Sequence, residues 1–168
     1  MVFNRSDMKK LILIRHAKSS WKENVIDHER PLLDRGIDDA KLISNTFKNL
    51  NYKPDIIFSS DAYRAKYTAK IFKEALNFPE NKCQLLHELY DFSGELLLNV
   101  IKSCSDEINT LMLFGHNHAI TSFVNTYGDK HIDNVPTSGL VVINFNTNHW
   151  QDLSKGITDY VLFPRDLK

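Results

Sequence analysis

The chain has 168 residues, of which 42% are hydrophobic and 25% are charged. This length fits one domain with a substantial core, so we expect a single domain over residues 1–168. The 21 basic and 21 acidic residues balance to zero net charge, which argues against a nucleic-acid-binding protein and against a polybasic membrane-binding surface. The polar start MVFNRSDMKK resembles neither a secretion signal nor a membrane span, and the two cysteines show no metal-ligand spacing. The sequence therefore predicts a cytoplasmic protein with no nucleic-acid or membrane partner.

Six short apolar runs predict β-strands over residues 11–14, 55–58, 84–86, 110–114, 141–145 and 160–163. Apolar residues at helical spacing predict helices between most of them, over residues 33–50, 61–76, 95–103 and 118–127. Alternating strands and helices indicate a three-layer α/β/α sandwich around a mostly parallel sheet of about six strands. Residues 146–158 show no apolar helical pattern, so we expect at least one late strand to run antiparallel.

Polar side chains follow four of these strands. They are Arg15 and His16 after the first strand, Ser59, Ser60 and Arg64 after the second, His87 and Glu88 after the third, and, after Gly115, His116 at the end of the fourth. In an open α/β sheet the carboxyl ends of parallel strands share one edge, where ligands bind. Arginines and histidines gathered at this edge would form a basic pocket in a neutral protein. The sequence therefore predicts an anion site, most simply for phosphate.

Such a pocket is suited to phosphoryl transfer. A neutral imidazole of His16 would attack phosphorus and hold the phosphoryl group until water releases it. Arg15 and Arg64 would bind the phosphoryl oxygens and keep His16 neutral through their positive charge. His116 would add a further hydrogen-bond donor, and a carboxylic acid, Glu88 or alternatively Asp91, would protonate a poor leaving group.

Other residues near these positions have two open interpretations. These residues are Lys18, Arg30 and His118. Each would either line the pocket or lie at the surface. Glu88 also has a simpler explanation as a solvated side chain after a short strand. The sequence alone leaves these alternatives open.

Five blocks carry a resemblance to a known family: LILIRHAKSSW, DHERPLLDRG, SSDAYRAKYTA, LLHELY and FGHNHAI. In this order they resemble the histidine phosphatase superfamily, which has the phosphoglycerate-mutase-like fold. They are most similar to its SixA-like phosphohistidine phosphatases, which share the Arg-His-Ala that replaces the more usual Arg-His-Gly. The resemblance implies that His16 is the nucleophile and that Arg15, Arg64 and His116 complete the phosphate pocket. It leaves the role of Glu88 open, because the corresponding acid matters in mutases and less in SixA-like proteins.

The predicted function is that of a metal-independent phosphatase without a cofactor, acting through a covalent phosphohistidine intermediate. The chain has no long insertion that would cover the site, which favours phosphohistidine on a protein, such as a histidine-containing phosphotransfer domain, as substrate. A phosphatase for small phosphorylated metabolites and a non-catalytic phosphate-binding module remain alternatives. A further alternative is a metallohydrolase whose ligands would be His16, His87, His116 and His118; neighbouring arginines would repel its cation.

Overall fold

The computed structural model of the protein describes residues 8–168. Residues 1–7, which hold most of the polar start, lie outside the described part. Six strands form one sheet in the order β3-β2-β4-β1-β5-β6. The strands are β1 (Lys9–Arg15), β2 (Ile56–Ser59), β3 (Cys83–Leu85), β4 (Thr110–Gly115), β5 (Leu140–Phe145) and β6 (Ile157–Leu162).

The first four strands are parallel. β1 pairs with β4 from Lys10 opposite Thr110 to Arg15 opposite Gly115, and β2 lies between β4 and β3. β5 pairs antiparallel with both β1 and β6, so it is the late reversed strand that the sequence predicts. The carboxyl ends of β1, β2 and β4 consequently meet at the same edge of the sheet, at its centre.

Helices cover both faces of the sheet. They are α1 (Asp34–Lys48), α2 (Tyr63–Leu76), α3 (Glu95–Lys102) and α4 (Ala119–Tyr127). Successive strand residues point to opposite faces, so Ile12 and Ile14 of β1 pack with Phe47 of α1 and Phe72 of α2, in one core. Residues Leu11, Leu13, Leu97, Ile120 and Phe123 belong to the second core, which packs α3 and α4 against the opposite face. The predicted three-layer fold is confirmed. Among residues 8–168 no helix is long and apolar enough to cross a membrane.

Most elements begin one to three residues away from their predicted start, and α2 and β6 show why. α2 begins at Tyr63 rather than at residue 61, because Asp61 and Ala62 form a bend in which the Ser60 hydroxyl accepts a hydrogen bond from the Ala62 amide at 3.2 Å. β6 begins at Ile157 rather than at residue 160. It is an edge strand with largely exposed first residues, so its sequence lacks the apolar run that marks the buried strands.

Candidate active site

The site is built where β1, β2 and β4 end. His16 follows β1 directly, and its amide donates to the carbonyl of Gly115, the last residue of β4. His116 follows β4, and Arg64 lies in the first turn of α2 after β2. The structure thus brings Arg15, His16, Arg64 and His116 together, as the strand-end argument predicts. The rings of His16 and His116 have their centroids 5.2 Å apart.

The His16 ring has a fixed orientation. Its Nδ1 lies 2.7 Å from the carbonyl oxygen of Ala17, which accepts only from a protonated nitrogen. Nδ1 is therefore the N–H, and Nε2 carries the lone pair that a nucleophile needs. Burial lowers the pKa of His16 well below its usual value; the bond to Ala17 opposes this effect, while His116 and the two arginines add to it. The imidazole is accordingly neutral at physiological pH.

Two buried amide contacts hold the strand end in place. The Ser138 amide donates to the carbonyl oxygens of both Arg15 and His16, at 3.1 and 3.2 Å. The Ala17 amide donates to the Thr68 hydroxyl of α2 at 2.9 Å. These bonds connect the nucleophile to β1, to the segment before β5 and to α2. His16 is thus positioned by three parts of the fold.

Both arginines reach the pocket with part of their hydrogen-bonding capacity unused. Arg15 donates from Nη1 to the Val135 carbonyl at 3.0 Å, while Arg64 donates from Nη1 to the Asp27 carbonyl and from Nη2 to the Asp27 carboxylate, at 2.7 and 3.0 Å. Arg64 is only 1% exposed. Burial first, and then the neighbouring charge of Arg64, lower the pKa of Arg15. Two cations held this close together favour an anion between them.

His116 is fixed by a hydrogen bond between its Nε2 and the Ser60 hydroxyl, 2.8 Å long. Burial, followed by the charge of Arg64, lowers the pKa of His116 to about 3. The ring is therefore neutral. Ser60 also accepts from the Ala62 amide, so its own proton is free to go to His116 Nε2. In that arrangement His116 Nδ1 carries the N–H.

Three buried nitrogen atoms in this region have no hydrogen-bond partner among the described residues: Arg15 Nε, Arg64 Nε and His116 Nδ1. Buried polar groups are normally paired, and an unpaired donor costs free energy. The two arginine nitrogens are donors, and so is His116 Nδ1 when Ser60 donates to Nε2; an anion would satisfy such donors. The site therefore has the donor set of a phosphate pocket.

Asp27 is a site residue to which the sequence analysis assigned no role. Its carboxylate accepts from Arg64 Nη2, from Arg30 Nε at 3.0 Å and from the Tyr90 hydroxyl. Burial raises the pKa of Asp27, but these hydrogen bonds outweigh that effect and bring it to about 2. Asp27 is therefore ionised and neutralises part of the arginine charge. Its position in the block DHERPLLDRG was the available signal, but an aspartate in a polar loop has no distinctive spacing.

Lys18 and Arg30 differ in their placement. The Arg30 guanidinium is buried, bonded to Asp27, to Ser19 Oγ at 2.9 Å and to the Ser20 carbonyl at 3.2 Å. The hydrogen bonds of Arg30 thus stabilise the loop that carries Asp27. The Lys18 side chain is exposed, whereas its carbonyl accepts from the Leu33 amide at 2.9 Å. Contact of either side chain with substrate stays a prediction.

The two carboxyls considered as general acids differ in their surroundings, and an acid role for either stays a prediction. Glu88 is exposed and lines an apolar groove with Ile56, Leu86 and Leu96. Asp91 accepts three backbone amides at the start of α3, which hold its pKa below the usual range although burial raises it. The carboxylate that the structure places on Arg64 is Asp27.

The four histidines of the metallohydrolase alternative fall into separate environments. His16 and His116 share the arginine pocket, whereas His87 bonds to Asp61 at 2.9 Å and His118 is exposed before α4. That alternative therefore lacks its four-histidine centre.

Comparisons with known proteins identify the family and the relatives of this chain. The family model described as the histidine phosphatase superfamily (branch 1) matches residues 11–94. An uncharacterized chloroplastic protein of Arabidopsis thaliana is 35% identical over 118 residues, covering 65% of this chain and 54% of its own length. An uncharacterized protein of Mycobacterium tuberculosis is 26% identical over 89% of this chain and 98% of its own.

Solved structures extend the likeness over nearly the whole chain. The crystal structure of a proposed phosphohistidine phosphatase SixA from Agrobacterium tumefaciens has a TM-score of 0.78 and 26% identity, covering 92% of this chain and 97% of that one. A structure of the protein histidine phosphatase SixA complexed with tungstate has a TM-score of 0.81 at 19% identity, covering 95% and 99%. The second likeness concerns the fold alone.

Proposed function

Because the chain belongs to the histidine phosphatase superfamily, branch 1, we propose that it is a metal-independent phosphatase that removes phosphate from phosphohistidine on a protein. The orientation of His16 carries this proposal. With Nδ1 donating to the Ala17 carbonyl, Nε2 is free to attack, and the unpaired nitrogens of Arg15, Arg64 and His116 would donate to the phosphoryl oxygens.

The reaction would proceed in two displacements at phosphorus. In the first, the lone pair of His16 Nε2 forms a bond to phosphorus as the bond to the substrate nitrogen breaks. The electron pair of the broken bond stays on the substrate ring, which leaves as a neutral imidazole because its other nitrogen carries a proton. Arg15 and Arg64 stabilise the oxygens as charge shifts onto them. In the second, water attacks phosphorus, the electron pair returns to Nε2, and phosphate is released. The water proton leaves with phosphate or solvent.

The carboxyls of the site favour a nitrogen leaving group. Asp27 is ionised, with a pKa of about 2, and Glu88 lies in an exposed groove. An alkoxide leaving group needs a proton donor, whereas an imidazole leaves with much less help. A pocket whose adjacent carboxyl is already ionised therefore suits phosphohistidine better than a phosphate ester.

Exposed apolar side chains beside the pocket favour a substrate carried on a protein. Trp21, which is 77% exposed, stacks on Arg30 with the guanidinium carbon 3.5 Å from the ring centroid. Phe92 is also exposed, and its ring centroid lies 5.2 Å from that of His116. Aromatic side chains next to a polar site are typical of contacts between proteins.

His16 is tested by trapping the intermediate. The wild-type protein is expected to form an acid-labile, base-stable phosphoenzyme with a labelled phosphodonor, while His16→Ala forms none. His149→Ala, which changes an exposed histidine of another region, serves as the matched control and should behave as the wild type. An adduct on His16→Ala at the wild-type rate would contradict the proposal.

A phosphatase for small phosphate esters is the second candidate, because the Asp27 carboxylate contacts Arg64. If a bound phosphate displaced this carboxylate from the guanidinium, Asp27 could take up a proton and act as a general acid. Glu88→Gln and Asp27→Asn separate the two functions. On a phosphohistidine-carrying phosphotransfer domain, Glu88→Gln should change the rate by less than about twofold. On a sugar phosphate, loss of a general acid would cost ~10²–10⁴-fold. A marked preference for sugar phosphates, with strong dependence on either carboxyl, would favour the esterase.

A further inference from the structure

A second group of chemically active side chains lies beside the arginine pocket. His28 Nε2 is 2.7 Å from Asp61 Oδ1, and His87 Nδ1 is 2.9 Å from Asp61 Oδ2. One ligand atom from each of these three residues lies within 4.8 Å of the others. The side chains come from three separate parts of the chain: the 3-10 turn Asp27–Glu29, the segment before α2, and the 3-10 turn His87–Leu89. The mechanism proposed above uses none of them.

The composition of this group distinguishes it from an ordinary histidine–aspartate pair. Elsewhere, His131 bonds to Asp133 and His149 bonds to Asp106, each as a pair of exposed residues. At Asp61 two imidazoles share one carboxylate. Two imidazole nitrogens and one carboxylate oxygen form a donor set that first-row transition metals favour, and three protein ligands leave further coordination positions open.

The surroundings favour binding of an ion. The Tyr90 ring stacks on His28 with a centroid distance of 4.9 Å and an interplanar angle of 13°, which fixes the orientation of that imidazole. About a third of the His28 and Asp61 side chains and most of His87 are exposed, so an ion can enter from solvent. Arg64, which follows Asp61 by three residues in the chain, is paired with the Asp27 carboxylate.

We propose that His28, Asp61 and His87 bind a divalent transition-metal ion, with Zn²⁺ as the representative probe, at the mouth of the phosphate pocket. Zinc bonds to nitrogen and carboxylate oxygen are about 2.0–2.2 Å long. The nitrogen–oxygen separations of 2.7 and 2.9 Å would therefore need to widen by about half an ångström. The remaining positions would take water or an anionic oxygen.

A metal ion here would connect the three segments that form one wall of the pocket. His28 follows Asp27, which holds Arg64, and Asp61 follows Ser60, which holds His116. The three ligands are close together only in the folded chain. The ion would therefore bind the folded state in preference to the unfolded state, and it should stabilise the fold. His16 and His116 are not among the ligands, so phosphoryl transfer to His16 would not require the metal.

The test measures binding of Zn²⁺ alone to the chelator-treated full chain by calorimetry and by the melting temperature. Wild-type protein should bind one ion and melt at a higher temperature with Zn²⁺ present. His87→Ala, which removes a mostly exposed side chain and should fold, and Asp61→Asn should each weaken binding at least tenfold. His149→Ala and His131→Ala are matched controls and should bind as the wild type does.

Two results would overturn the proposal: no stoichiometric binding by the wild type, or equal Zn²⁺ affinity for wild type and both ligand variants. Co²⁺ gives an independent readout, since its visible absorption should report nitrogen and oxygen ligands in the wild type and change in His87→Ala. Phosphoenzyme formation in the presence of EDTA is measured in parallel. Whether the phosphoenzyme forms in EDTA tests the His16 mechanism, and it does not affect the conclusion about metal binding.

Discussion

Arg64 illustrates how the pocket divides the hydrogen bonds of a single side chain. Its two terminal nitrogens donate to Asp27, while Nε has no partner among the described residues. Asp27 therefore holds the guanidinium in one orientation, with the Nε edge available for an anion. The arginine is a structural link to the Asp27–Glu29 turn, and in the proposed mechanism it would also donate to substrate.

This division predicts that lysine cannot replace Arg64. Arg64→Ala should reduce the rate of phosphoenzyme formation by ~10²–10³-fold, the effect of losing a charged donor in the transition state. Arg64→Lys should recover little, because an ammonium cannot bond Asp27 and present a separate N–H to phosphate in a fixed geometry. Stopped-flow labelling measures both, with the exposed Arg35→Ala as control. Full recovery by lysine would contradict the proposed geometry.

At the scale of elements, Gly36 controls how closely α1 approaches the segment after β1. A Cβ atom on Gly36 would overlap the backbone nitrogen and carbonyl oxygen of Lys18. Gly115 precedes His116, yet a Cβ there would meet only side-chain atoms at ordinary distances of 3.6 Å and beyond. The loop after β1 therefore requires Gly36, which lies far from His16 in sequence, whereas Gly115 beside His116 is under no such constraint.

Gly36→Ala should consequently disturb the site more than Gly115→Ala. The alanine must displace Lys18 and with it the His16–Ala17 segment, although alanine favours helix by about 1 kcal/mol over glycine. We expect slower phosphoenzyme formation and a lower free energy of unfolding for Gly36→Ala. Gly115→Ala should remain close to wild type in stability. Denaturant unfolding of both variants compares them, and a stabilised Gly36→Ala would show that α1 packs less closely than described.

The fold and the four central side chains could be predicted because both depend on local patterns. Buried strands such as β1 and β4 are continuous apolar runs, and Arg15, His16 and His116 follow them directly. Asp27 and Tyr90 could not be placed, because their contact with Arg64 depends on how two loops pack across the pocket. Glu88 was proposed from its position after a strand, but the 3-10 turn His87–Leu89 leaves it exposed in a groove.

For the molecule as a whole, the buried neutral histidines connect the site to acid stability. The pKa of His116 falls from 6.5 to about 3 on folding, so below about pH 6.5 the unfolded chain binds a proton that the folded chain does not. Stability must therefore decrease as the pH falls through that range. His16 contributes in the same direction.

The expected loss from His116 is about 2 kcal/mol between about pH 7.5 and about pH 5, from the slope of roughly 1.4 kcal/mol per pH unit for one proton. Denaturant unfolding of wild type and His116→Gln over this range measures it. The variant should show a shallower pH dependence by this amount. Identical slopes for the two proteins would mean that folding does not lower the pKa of His116.

The sheet order also determines when the site can exist during synthesis. β1 obtains its neighbours only from β4 and β5, with Lys10 opposite Thr110 and Ile14 opposite Leu140. A nascent chain on the ribosome that has released residues 11–94 already carries His16 and Arg64, yet it lacks both strands that enclose β1 and also His116. Such long-range pairing forms late. His16 therefore gains these surroundings only after β5 has been synthesised, so a growing polypeptide, or one truncated before β5, should not become phosphorylated at His16.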